Sequence, residues 1–109
     1  MGKDERKMSF DGIRRMEEGK PEIVRKQYTF TGRVQGVGFR YSAQYLAQGL
    51  GVTGWVKNEW NGTVIMEAQG EKEQLDRLVQ LLRKRSFIRI DYVAELTVPV
   101  QSELGFHVR

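Results

Sequence analysis

The segment Gly32-Arg33-Val34-Gln35-Gly36-Val37-Gly38-Phe39-Arg40 constrains this chain more than any other. Three of its first seven residues are glycine. The backbone can therefore turn tightly and aim several N–H groups at one point. An apolar-periodic stretch follows at once, so the loop feeds a helix N-terminus, where free N–H groups and the helix dipole favour an anion. Arg40 adds a planar guanidinium fork at the same place. The combination predicts a cradle for one tetrahedral oxyanion, most simply a phosphoryl group. The plainer alternative is a Gly-rich strand-to-helix turn with a solvated arginine beside it. The rest of the chain decides between them.

The flanks read as strands and amphipathic helices in a definite order. Residues 25–33 put Tyr28 and Phe30 on one face and Thr29 and Thr31 on the other, the pattern of a strand. A helix is expected from about Arg40, with Phe39, Ala43, Leu46, Ala47 and Leu50 as one stripe and Gly51 as its stop. Val52 to Asn58 is a second strand carrying Trp55 and Val56. Asn61-Gly62 marks a hairpin, and Thr63 to Gln69 is a third strand. Glu71 to Arg85 is a second helix with Leu75, Leu78, Val79 and Leu82 inward; its acidic start and basic end suit the helix dipole. Ile88 to Val98 alternates as a fourth strand before Pro99, and Phe106 and Val108 mark a short last one. The order βαββαβ plus a terminal strand predicts an α+β, ferredoxin-like split-βαβ fold. Its sheet is antiparallel-dominated, with both helices on one face. That architecture hosts enzymes, RNA binders and ligand sensors alike, so function must be argued from the site.

Length and charge narrow the chemistry. A chain of 109 residues is one domain with a single core. Residues 1–24 carry six basic and six acidic side chains and are read as a charged, flexible extension, leaving the domain at 25–109. Phe10, Ile13 and Met16 are spaced for one short helix in that extension, which Gly19 and Pro21 would end. There is no cysteine, and His107 is the only histidine. Disulfides, thiolate zinc sites and cysteine nucleophiles are excluded, and no metal or other cofactor is expected. The net charge of +4 lies wholly in residues 25–109. It suits an anionic small molecule but is thin for nucleic acid, which calls for a concentrated basic stripe. Gly36 to Tyr41 also has a faint RNA-recognition flavour, but such modules need their aromatics mid-strand on an open sheet, not in a loop entering a helix. No apolar run approaches a membrane span, and the first residues lack a signal-peptide core. A cytoplasmic monomer without nucleic-acid or membrane partners is the expectation.

Two motifs together resemble the acylphosphatase family. Gly32 to Arg40 fits every fixed position of its glycine-rich signature G-x-V-x-G-V-x-F-R. Its second signature is matched by Gly54-Trp55-Val56-Lys57-Asn58 followed by Gly62-Thr63-Val64. Arg89-Ile90-Asp91 and Phe106-His107-Val108-Arg109 look like the family's later strands. The resemblance covers about residues 25–109. It implies hydrolysis of carboxyl–phosphate mixed anhydrides to carboxylate and inorganic phosphate, with water as nucleophile, no metal and no phosphoenzyme. By that analogy Gln35, Gly36, Val37, Gly38, Phe39 and Arg40 bind the phosphoryl group, Arg40 is catalytic, and Asn58 holds the attacking water. Inorganic phosphate is then both product and competitive inhibitor. The alternative is a non-catalytic domain of the same fold that binds a phosphorylated metabolite such as carbamoyl phosphate, as in hydrogenase maturation factors. Those are long chains with zinc-binding cysteines, so a short cysteine-free chain points to the stand-alone hydrolase. Glu59, beside Asn58, departs from many relatives and is expected to point away from a phosphate site. Some relatives carry a further aromatic residue whose terminal carboxylate lies near the site; whether Arg109 reaches Arg40 here is open at this point.

Overall fold

The computed structural model describes residues 21–109. The expected helical turn around Phe10, Ile13 and Met16 lies outside the described residues. The elements are β1 (Ile23–Arg33), α1 (Phe39–Leu50), β2 (Thr53–Asn58), β3 (Val64–Glu71), α2 (Lys72–Arg83), β4 (Arg89–Val98) and β5 (Phe106–Val108). The order is the one expected. β1 starts earlier than residue 25, because Ile23 and Val24 pair with Glu71 and Gly70 at the end of β3. α2 stops at Arg83, short of the expected Arg85, with Lys84 as its C-cap.

The sheet runs β4-β1-β3-β2-β5. β1 and β2 flank β3, so the β1-α1-β2 crossover is split by an inserted antiparallel strand. Among the described residues only β2 and β5 pair in parallel. Alternation then separates the faces. Tyr28, Phe30, Val56, Val64, Met66, Ala68 and Phe106 point to one side and form a core with Phe39, Ala43 and Ala47 of α1 and Leu75, Leu78 and Leu82 of α2. α1 packs on β2 and β5, α2 packs on β3, and the helices pack on each other. α1 ends at Gly51, and α2 begins with a reciprocal capping box between Glu71 and Gln74.

The opposite face mixes Gln27, Thr29 and Glu67 with the exposed apolar side chains Tyr92 and Leu96, and it holds one buried charged residue. Arg25 has a side chain 0% exposed. It donates from Nε to Glu67 Oε1 at 2.7 Å and from Nη1 to Gln69 Oε1 at 3.2 Å and to the Glu103 carboxylate. The chain between β4 and β5 crosses this face to carry Glu103 there, and Gln101 on the same crossing exchanges hydrogen bonds with Gln69. Among the described residues no helix is long and apolar enough to cross a membrane.

Candidate active site

The glycine-rich loop leaves the end of β1 and enters α1 at the other end of the sheet from Arg25. Gly36 has φ 72° and Gly38 has φ 78°. Both lie in the left-handed region that side chains with a Cβ avoid. Placing such residues on either side of Val37 turns successive N–H groups to the same side, the geometry of an anion nest. Gly38 is also the N-cap of α1. It supplies no side-chain hydrogen bond, and the first turn of the helix holds no acidic residue. The leading N–H groups of α1 are thus left to an outside acceptor.

Arg40 sits in that first turn. Its Nη1 donates to a main-chain oxygen of Arg109 at 2.8 Å. β5 brings Arg109 there: the Arg109 N–H donates to Val56 O at 2.8 Å, and Gln44 on α1 donates to Phe106 O at 3.0 Å. The Arg109 guanidinium stacks over the Trp55 ring at 4.5 Å. So Arg109 does reach Arg40, and it bonds one corner of a fork that has five donors.

Val34, Gly36, Gly38, Phe39, Arg40 and Asn58 line one small recess of about 150 Å³. The structure therefore brings Asn58, the last residue of β2, to the loop although 18 positions separate it from Arg40 in the chain. Phe39 contributes its main chain only, because its ring is buried against Phe30 at 4.9 Å between centroids. Val37 packs on the core from the loop's inner side.

The side chain of Gln35 has a different task. Its Nε2 donates to Glu59 O at 2.8 Å and to Thr63 O at 2.9 Å. Both amide hydrogens clasp the β2–β3 hairpin to the loop, and neither Gln35 nor Val37 lines the recess that holds Arg40 and Asn58. That clasp sets the loop's height relative to Asn58. Glu59 is drawn away: its carboxylate lies 3.4 Å from Lys57 Nζ. Lys57 alternates with Asn58 and lies near Trp55, 6.0 Å from its ring centroid, on the sheet face opposite the core. Among the described residues no group of three histidine or carboxylate side chains is placed to hold a metal ion.

Two features escaped the sequence reading. Nothing in the pattern around Gln35 reveals a clasp, because its partners are main-chain oxygens of a distant hairpin. The Arg25–Glu67–Glu103 cluster had no local signal, since Arg25 and Lys26 adjoin in the strand and only one of them is buried.

A family model described as Acylphosphatase matches residues 26–108. The acylphosphatase of Clostridium acetobutylicum is 45% identical over 79 residues, spanning 71% of this chain and 87% of that one. The solved acylphosphatase of Coxiella burnetii superposes with a TM-score of 0.75 at 33% identity, covering 84% of this chain and 96% of that one. Full-length HypF, solved in a phosphate- and nucleotide-bound form, is similar over 82% of this chain but only 12% of its own length, with a TM-score of 0.72 at 26% identity. With one model matching nearly all of residues 25–109 and both signatures meeting in one recess, this chain belongs to the acylphosphatase family.

Proposed function

We propose that this chain hydrolyses acyl phosphates, with Arg40 and the main-chain N–H groups of residues 35–40 holding the phosphoryl group and Asn58 holding the attacking water. The observation that carries this is the uncapped N-terminus of α1 opening into the same recess as Arg40 and Asn58. The water oxygen forms the new bond to phosphorus. The bond from phosphorus to the acyl oxygen breaks, and its electron pair leaves on the carboxylate. The water's proton passes to an oxygen of the phosphate product. A carboxylate is a good leaving group, so no general acid is required. The transition state is loose and its charge lies on the equatorial oxygens, where preorganised N–H donors and a guanidinium act most strongly. Asn58 orients water through one acceptor and two donors and is too weak a base to take its proton. The guanidinium and amides supply the positive end of this scheme, so a divalent ion has no task in it.

A binding-only role is less well supported. The chain spans 87% of a curated acylphosphatase and 12% of HypF.

The test is phosphate release from acetyl phosphate by the purified protein with a chelator present. Turnover should persist, and inorganic phosphate should inhibit competitively. Loss of turnover on chelation, restored by a divalent ion, would contradict the scheme.

A further inference from the structure

A second cavity, of about 710 Å³, opens on the other flank of the loop. It shares Gly36 with the recess that holds Arg40 and Asn58, and its wall also includes Val37, Arg33, Phe87, Ile88 and Arg89. Phe87 is 77% exposed at its rim. Resting on the hydrolytic reading above, we infer that this cavity receives the acyl part of the substrate and that Arg33 and Arg89 select acyl groups bearing a second anionic group.

Two independent observations lead there. The first is direction. In the sheet order, Asn58 ends β2 and Arg33 ends β1, on opposite sides of β3, with Arg89 beyond on β4. Displacement at phosphorus runs in line. A water held at Asn58 therefore sends the acyl oxygen away from β2, over Gly36, toward β1 and β4. That is where the larger cavity lies.

The second is charge. Arg33 and Arg89 are direct cross-strand partners, the last pair of the β1–β4 ladder. Like charges placed opposite each other destabilise a sheet. The ladder shifts register between Thr31 and Gly32 just before this pair. Gly32 has φ 139°, and a Cβ there would overlap the main-chain oxygen of Arg89. The close approach that sets the two arginines side by side therefore depends on glycine. Asp91 offsets part of the charge, accepting from Arg89 Nε at 3.0 Å and Nη2 at 3.4 Å. Arg33 has no carboxylate partner among the described residues. An unfavourable pair beside a cavity that adjoins the phosphoryl site is what recognition of a second carboxylate or phosphate requires.

Benzoyl phosphate and 4-carboxybenzoyl phosphate test this. The rigid ring keeps the added carboxylate from attacking its own acyl carbon. We expect the ratio of kcat/KM, carboxylated over plain, to fall about tenfold or more in Arg33→Gln/Arg89→Gln, mainly through KM. Lys84→Gln/Arg85→Gln removes the same charge at the end of α2 and should leave that ratio near the wild-type value. Arg33→Gln alone should raise the melting temperature, because it relieves the cross-strand repulsion. An unmoved ratio with benzoyl phosphate still turned over would overturn this inference and leave the hydrolytic reading standing. An equal fall in the Lys84/Arg85 variant would reduce the effect to long-range charge and overturn it as well, as would a melting temperature several degrees lower in Arg33→Gln. Failure of the wild type to hydrolyse either compound would overturn both readings.

Discussion

Arg25 and Arg40 lie at opposite ends of the same split-βαβ unit and put the same side chain to opposite uses. Arg25 is fully enclosed, with Nε on Glu67, Nη1 on Glu103 and Gln69, and Nη2 shut in without a partner among the described residues. Arg40 is half-buried and gives one bond to a main-chain oxygen of Arg109, so most of its fork faces the recess. Around Arg25 the protein supplies anions from its own chain. Around Arg40 it supplies no acidic side chain: the first turn of α1 has no acidic residue, and Glu59 is held by Lys57. A guanidinium whose counter-charge is built in serves the fold. One that meets no acidic side chain is, in the function proposed above, left for a ligand.

The comparison predicts that the two substitutions separate stability from chemistry. The largest effect is expected from Arg25→Ala, which leaves Glu67 and Glu103 as half-buried carboxylates without their cation. It should cost about 3–5 kcal/mol of stability. The folded fraction should still turn over substrate within a few-fold of wild type. Chemical denaturation and activity on the same samples read both. Replacing Arg25, Glu67 and Glu103 together by apolar residues should recover much of the loss. If Arg25→Ala removes turnover while leaving the melting curve in place, the contrast breaks.

Arg40→Lys should do the reverse. Lysine keeps the charge but loses the bidentate fork. Catalytic efficiency should fall roughly a hundredfold or more. Stability should change by less than about 1 kcal/mol, because the site is at the surface. Steady-state kinetics beside a thermal melt is the measurement; near-normal turnover would mean that positive charge alone suffices.

Asn58→Ala sharpens the division within the site. Asn58 contacts mainly the attacking water in the proposed scheme. Turnover should drop by roughly two orders of magnitude, while phosphate affinity measured by calorimetry stays close to wild type. A parallel fall in both would make Asn58 a binding or folding residue.

The smallest effect concerns the hydroxyl of Tyr28, which is buried without a hydrogen-bond partner among the described residues. Burial, with help from Glu95 and Asp76, pushes the phenol above its ordinary value of 10.0. The folded chain thus holds that proton to higher pH than the unfolded chain does. Below the ordinary value both states are protonated and stability is unaffected. Above it the unfolded state loses the proton first, so stability falls as pH rises. Tyr28→Phe should lack this alkaline loss. At neutral pH it should equal or exceed wild type by up to about 1 kcal/mol, since no hydrogen bond is broken. Melting curves at pH 7 and above pH 10 decide it.

What could be read before any coordinates follows the same divide. The loop end was legible because glycine spacing, a helix start and an arginine occupy one contiguous segment. Asn58 became legible through the second signature, and the hairpin at Asn61-Gly62 explains how β2 and β3 deliver it. The alternations of β1 and β3 reported which residues face the helices. They did not report Arg25 as buried, because its cover is the β4–β5 crossing, whose path depends on the sheet order. Glu103 is 78 residues away in sequence, and no local pattern encodes such a partner. The main-chain oxygen of Arg109 beside Arg40 was hidden for the same reason: the parallel pairing of β5 with β2 sets it.

The phosphoryl group is proposed to belong to the loop end, not to the Arg25 region or the end of α2. Titration of the isotope-labelled protein with inorganic phosphate, followed by amide resonances, tests it most directly. The account predicts the largest shifts at Gln35 to Arg40, saturating together, with the Arg25 region and the basic end of α2 at Arg83 to Arg85 unmoved. Shifts centred on Arg83 to Arg85, or a loop that stays silent while phosphate inhibits turnover, would contradict it.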